Sequence, residues 1–226
     1  MNNDKKIAVF FDCENISAKY TQEIFDDLAN HGEVIIRKAY DNWSERRSKS
    51  WSEKLQEFAI DPIQIFSNIA NKNASDIKIV IDVMNIMNSS KVDIVALVSS
   101  DSDFTDLAKD IKSKGFEVMG YGEIKTHNSL RNAYSSFIEL PINDELVSKN
   151  EESVISILKS AINSTKGDND YVLISQIGTY LKNKEASLIA KNYGGNTWGD
   201  ILKKFPNIFE VSHLDNRKSK TIVTIK

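Results

Sequence analysis

Two aspartates, Asp101 and Asp103, follow an apolar run in the stretch IVALVSSDSDF, residues 94–104. A third, Asp12, ends the apolar run IAVFFD, and a fourth, Asp76, opens the apolar-periodic segment NASDIKIVID. Two carboxylates about 4 Å apart repel by roughly 4 kcal/mol at an effective dielectric near 20. Three or four of them stay charged together only around a cation. Oxygen-only donors select a hard ion, Mg²⁺ or Mn²⁺. The three histidines, His31, His127 and His213, are scattered and lack the spacing of a zinc site. They also leave no Ser-His-Asp or Cys-His arrangement to compete with the acids.

Each acid has a structural alternative. In SSDSDF, Asp103 is as well suited to capping a helix as to holding an ion. Asp82 lies six residues past Asp76, about 120° away round a helix, which turns it toward solvent or a shell behind the site. Asp106 and Asp110 read as exposed helix acids. Asp12 is the hardest to explain away, because a charge ending a buried strand needs partners. Cys13 alternates to the opposite face from Asp12 and reads as core. The first strand ends D-C-E-N, so the D-x-D nucleophile of one phosphatase class is not present.

The elements needed to bring these acids together can be traced in the pattern. Strands are predicted at residues 7–11, 33–40, 62–67, 94–98, 116–121 and 137–140. Helices are predicted at about 16–30, 43–60, 75–87, 103–113 and 128–134, with Gly115 as a stop. Alternation of this kind predicts an α/β fold with a parallel sheet covered on both faces. In such sheets functional groups collect beyond the carboxyl ends of the strands, where Asp12, Asp101 and Asp103 fall.

Composition adds limits. The chain has 226 residues, 41% hydrophobic and 27% charged, typical of a globular protein. No apolar run reaches the ~20 residues of a membrane span. The N-terminus runs into a strand-like segment without a signal-peptide pattern, and the single cysteine cannot form an internal disulfide. A cytoplasmic protein without a membrane partner is expected. Residues 1–140 carry 17 Lys and Arg against 22 Asp and Glu, a net −5, while residues 141–226 carry 12 against 10, a net +2. Overall acidity excludes indiscriminate coating of nucleic acid but not a local site for it.

FFDCEN, then NASDIKIVIDVM, then VALVSSDSDFTDLAKDIKSKGFEVMGYG resemble, in this order, the NYN domain of the PIN-like nuclease superfamily. The resemblance covers roughly residues 6–140. It implies a Rossmann-like fold and metal-dependent RNA cleavage, with the family's acids on Asp12, Asp76, Asp101 and Asp103. It places Asn15 and Ser100 at the family's asparagine and serine, and makes Asp82 a further family acid. Lys72 stands near a lysine often found before the middle motif. The reaction implied is phosphodiester hydrolysis by an endonuclease, with Asp12 and Asp101 as direct ligands of Mg²⁺ or Mn²⁺. Asp76 and Asp103 would bind through water or a second ion. The competing reading is a non-catalytic RNA-binding adaptor on the same fold.

Between Arg37 and Lys54, basic residues alternate with Tyr40, Trp43 and Trp51, a composition that suits single-stranded nucleic acid. Arg46, Arg47 and Trp43 are candidate substrate contacts, while Trp51 suits the core better. Lys125 and Arg131 would flank the same cleft. Residues 141–150, PINDELVSKN, read as a linker. Residues 151–226 predict three helices and two strands around a basic loop, the winged-helix pattern. With Tyr193-Gly194 and FPNIFEV, this segment resembles the LOTUS or OST-HTH domain, although GGNTWGD departs from its usual hydrophobic-rich sequence. The resemblance implies binding to RNA, single-stranded or structured, or to a protein partner. Candidate contacts are Lys182, Lys184, Lys191, Asn192, Tyr193, Lys203, Lys204, Arg217, Lys218 and Lys220.

Overall fold

The computed structural model describes residues 5–44, 49–66, 73–88, 92–142, 151–167, 169–214 and 220–226. The chain divides into two compact units, Met1–Pro141 and Ile142–Lys226. The first runs β1 (Lys6–Asp12), α1 (Thr21–Leu28), β2 (Glu33–Asp41), α2 (Lys49–Glu57), β3 (Asp61–Gln64), α3 (Ala74–Asn88), β4 (Ile94–Val98), α4 (Thr105–Ser113), β5 (Glu117–Glu123), α5 (Asn128–Ala133) and β6 (Ser136–Leu140). Its six strands are all parallel, in the order β3-β2-β1-β4-β5-β6. The order reverses between β1 and β4, which opens a crevice beyond their carboxyl ends.

Central strands of a parallel sheet are covered on both faces and read as unbroken apolar runs. Residues 7–11 of β1 and all of β4 are buried accordingly. Alternation then sorts the neighbours. Phe10 stacks on Tyr40 of β2, whose hydroxyl reaches Asp82 of α3. Phe11 turns the other way, meeting Phe25 of α1 at 5.9 Å and Trp51 of α2 at 5.6 Å between ring centroids. Trp51 is therefore a core residue. Two predicted helices begin differently from expectation. A 3-10 turn, Ala18–Tyr20, capped by the Ser17 hydroxyl, precedes α1. A second, Ser102–Phe104, precedes α4, and its cap is Asp101.

Gly120, on β5, shows how closely this core is fitted. A Cβ placed there would lie 2.3 Å from the ring of Tyr134, which is fully buried and stacked on Phe137. We expect Gly120→Ala to destabilise the fold by about 1–3 kcal/mol, as overpacking does. A thermal melt reads it; an unchanged midpoint would show that the ring yields freely.

The second unit comprises α6 (Glu151–Thr165), β7 (Val172–Leu173), α7 (Ile174–Lys184), α8 (Trp198–Lys203), β8 (Phe209–His213) and β9 (Thr221–Ile225). Its antiparallel sheet has the order β7-β9-β8. Leu158, Ile177, Leu181, Ile201 and Val223 fill a core separate from that of the first unit. β7 is too short to stand out as a strand in the sequence. Gly194 ends the turn Ala190–Tyr193 with φ of 70°, a left-handed value that favours glycine.

Candidate metal centre

The register of the sheet fixes which side chains share the crevice. Asp12 pairs with Tyr40, and Phe10 with Leu97, so Asp12 lies on the α3 face, in line with Leu97 and therefore with Ser99. The Ser99 hydroxyl donates to Asp12 Oδ2 at 2.7 Å and accepts the Asp101 N–H at 3.0 Å. One side chain thus ties the end of β1 to the loop after β4. Asn15 Nδ2 also donates to Asp12 Oδ2, at 2.8 Å. Asp101 in turn accepts the Asp103 N–H at 3.0 Å. Asp76, in the first turn of α3, completes the group: one carboxylate oxygen each from Asp76, Asp101 and Asp103 lie within 4.8 Å of one another.

Asp12 lies outside that trio but is electrostatically joined to it. It is 1% exposed, and its Oδ1 is buried with no hydrogen-bond partner. Burial pushes its carboxyl above the usual range, opposed by the Ser99 and Asn15 hydrogen bonds, while the charge of Asp101 pushes it further up. Asp76 is pushed up to about 6, first by burial and then by the charges of Asp12, Asp101, Asp103 and Glu14. The Tyr134 hydroxyl is also buried without a partner, and burial followed by the Asp12 charge raises its pKa. An unpartnered buried carboxylate oxygen beside three crowded carboxylates fits a hard divalent cation. Among the described residues the trio includes neither histidine nor cysteine.

Several expectations need correction. Ser100 does not face the acids: its hydroxyl accepts the Glu123 N–H at 2.9 Å, because alternation turns it to the other side of the strand end from Ser99. Arg131 is no substrate contact. It is 7% exposed, pairs with Glu139, donates to the carbonyls of Ile124 and Thr126, and lies over the Phe137 ring. Tyr193 is also core, 6% exposed and 5.4 Å from Trp198 between ring centroids. Asp82 neither faces solvent nor joins the trio. It is buried against Lys78 at 2.6 Å, Lys38 at 3.1 Å and the Tyr40 hydroxyl at 2.9 Å. Burial raises its carboxyl, but those three bonds outweigh that and leave it below the ordinary range. The cap in SSDSDF is Asp101, not Asp103.

Of the other candidates, Trp43 spends its indole N–H on the Ile63 carbonyl at 2.9 Å, so only its ring remains for a base. Lys125 is exposed and pairs with Glu123 at 2.9 Å. Lys204 is tied to the Gly194 carbonyl at 2.7 Å, Lys191 is half-buried, and Lys203 is exposed. Cys13 is buried, with burial raising its thiol pKa well above the usual value. Arg46, Arg47, Lys72, Arg217 and Lys218, with most of the predicted linker, lie outside the described residues. Ser99, Glu14 and Tyr134 were not expected at the site.

The NYN domain profile matches residues 6–143, more than half of the chain. The chain belongs to the NYN family. NYN domains fall in the PIN-like nuclease superfamily, and the six-stranded parallel sheet with flanking helices has that fold. Beyond the NYN domain, the OST-HTH/LOTUS profile matches residues 145–221, over the small unit of helices and antiparallel sheet. A crystal structure of a protein of unknown function from Vibrio parahaemolyticus is similar at 22% identity. It has a TM-score of 0.52, over 62% of this chain and 95% of that one. At that identity the likeness concerns the fold alone. No curated protein matches the chain. No helix of the described residues is long and apolar enough to cross a membrane.

Proposed function

We propose that this NYN protein is a metal-dependent ribonuclease that cuts RNA internally at the aspartate cluster, with the OST-HTH unit holding the RNA. The observation that carries the reading is the convergence of Asp76, Asp101 and Asp103 within 4.8 Å beside the unpartnered Oδ1 of Asp12. A purely structural cluster would have spent those carboxylates on cations of the protein, as Asp82 does with Lys38 and Lys78. We assign Asp76, Asp101, Asp103 and Asp12 as the residues that hold Mg²⁺ or Mn²⁺. When bound, such an ion polarises a phosphodiester and lowers the pKa of a coordinated water.

The chain's own groups set the geometry. Ser99 and Asn15 both bond Asp12 Oδ2, which fixes the carboxylate and leaves Oδ1 as its available oxygen. Asp101 is held twice, by its N–H on Ser99 and its carboxylate on the Asp103 N–H. Such fixed oxygens need little reorganisation when charge moves during hydrolysis. The OST-HTH unit, in the segment 141–226 with its net charge of +2, supplies attraction that the acidic NYN segment lacks.

The test is cleavage of single-stranded and structured RNA by the full chain with Mn²⁺, beside Asp101→Asn and with EDTA. Metal-dependent cutting by the native chain alone is expected. Equal cutting by both chains would mean a contaminant. RNA binding without any cutting would leave a non-catalytic adaptor.

A further inference from the structure

The OST-HTH unit contains a groove of about 480 Å³ between the start of α7, α8 and the β8–β9 pair. Its polar wall is made by Lys203, Lys220, His213, Ser175, Thr197 and Thr221, and among the described residues no aspartate or glutamate lines it. The side chains of Lys203, Lys220 and His213 are exposed. The Thr221 hydroxyl lies 3.2 Å from His213 Nδ1. Leu173 and Ile174 give the groove an apolar part. Lys204, the neighbour of Lys203 on the chain, points away to the Gly194 carbonyl, so the two lysines are not equivalent.

Ammonium groups, hydroxyls and an imidazole, with no acid among the described lining residues, suit an anion with several acceptor oxygens. An apolar strip beside them suits a flat base better than a second charge. We propose that this groove binds one or two phosphodiesters of single-stranded RNA, with Lys203 and Lys220 on the non-bridging oxygens and Ser175 or Thr221 donating a hydroxyl. The proposal rests on the RNA-directed reading above. It moves the contact from Tyr193 and Lys204, which the structure uses internally, to the groove wall.

The test is fluorescence anisotropy of the full chain with a short labelled single-stranded RNA, in EDTA, across about 50 to 200 mM KCl. The Lys203→Ala/Lys220→Ala variant is expected to bind about 10-fold more weakly. The slope of log affinity against log salt should fall by about 1.4, near 0.7 per lost single-strand phosphate contact. Lys159→Ala/Lys166→Ala removes the same charge from the α6 side and is expected to leave the slope near native. Unchanged binding by the groove variant, equal loss in both variants, or no RNA binding by the native chain would overturn the proposal. So would displacement of the RNA by an equal concentration of polyglutamate, which would mark an acidic protein segment as the occupant. Circular dichroism melts confirm that both variants fold. Mn²⁺-dependent cleavage at saturating protein separates the two readings: the groove variant still cuts there if only the groove is altered. A groove that binds beside a cluster that never cuts would refute the nuclease reading alone.

Discussion

Asp101→Asn is expected to lower Mn²⁺-dependent RNA cleavage by about 10³-fold, the several kcal/mol that a metal's stabilisation of transition-state charge supplies. The change keeps the shape and leaves an oxygen to accept the Asp103 N–H, so the cap of the turn at Ser102–Phe104 survives. What is lost is a charge in a trio whose oxygens lie within 4.8 Å. Ser99→Ala provides the graded comparison. It removes no carboxylate, only the hydroxyl between Asp12 and the Asp101 N–H. A loss of about 10- to 100-fold is expected, the range for groups that orient metal ligands. Mn²⁺ affinity should fall in parallel, measured by calorimetry on the uncut protein. A Ser100→Ala change, by contrast, should leave affinity near native. If Ser100→Ala proved the more harmful of the two, the assignment of Ser99 would be wrong.

The second large effect concerns pH and metal together. Asp76 titrates near 6 in the folded chain, against an ordinary value of 3.8. A folded pKa raised in this way means that the folded state binds the proton more tightly than the unfolded state. The contribution to stability is fully present below about pH 4 and is lost as pH rises through about 6. For a part-exposed group the loss is on the order of 1–2 kcal/mol after solvent screening. A divalent ion reverses the sign of that crowding, but below pH 6 it competes with the proton, at about tenfold in affinity per pH unit. The rise in melting temperature on adding Mn²⁺ should therefore be clearly larger at pH 7.5 than at pH 5. An equal rise at both values would show that Asp76 takes no part in binding the ion.

How far the sequence revealed these features depends on the distance over which each is decided. β1 and β4 were legible because a strand buried on both faces must be apolar throughout; β1 ends on Asp12, and Asp101 follows β4 after two serines. The order of the motifs was sufficient for the family. Ser99 was missed although its signal was available: counting alternation from Phe10 and Leu97 puts Asp12 and Ser99 on one face and Ser100 on the other. Arg131 was not legible, because its partner Glu139 belongs to β6 and its carbonyl acceptors to the loop before α5. Asp82 was half-legible. Lys78 is four residues away on the same helix, but Lys38 and Tyr40 are brought by β2 from 44 and 42 residues back. Tyr193 carried the family signature, yet a signature residue serves packing as readily as contact.

The Ser99–Asp12 bond spans 87 positions of the chain. Asp12 therefore joins Asp101 and Asp103 only once β4 has docked beside β1 and the loop that follows has formed. For the proposed ribonuclease, a nascent chain that has not yet delivered that loop has no assembled centre. On the proposed reading, competence arrives only with the completed sheet.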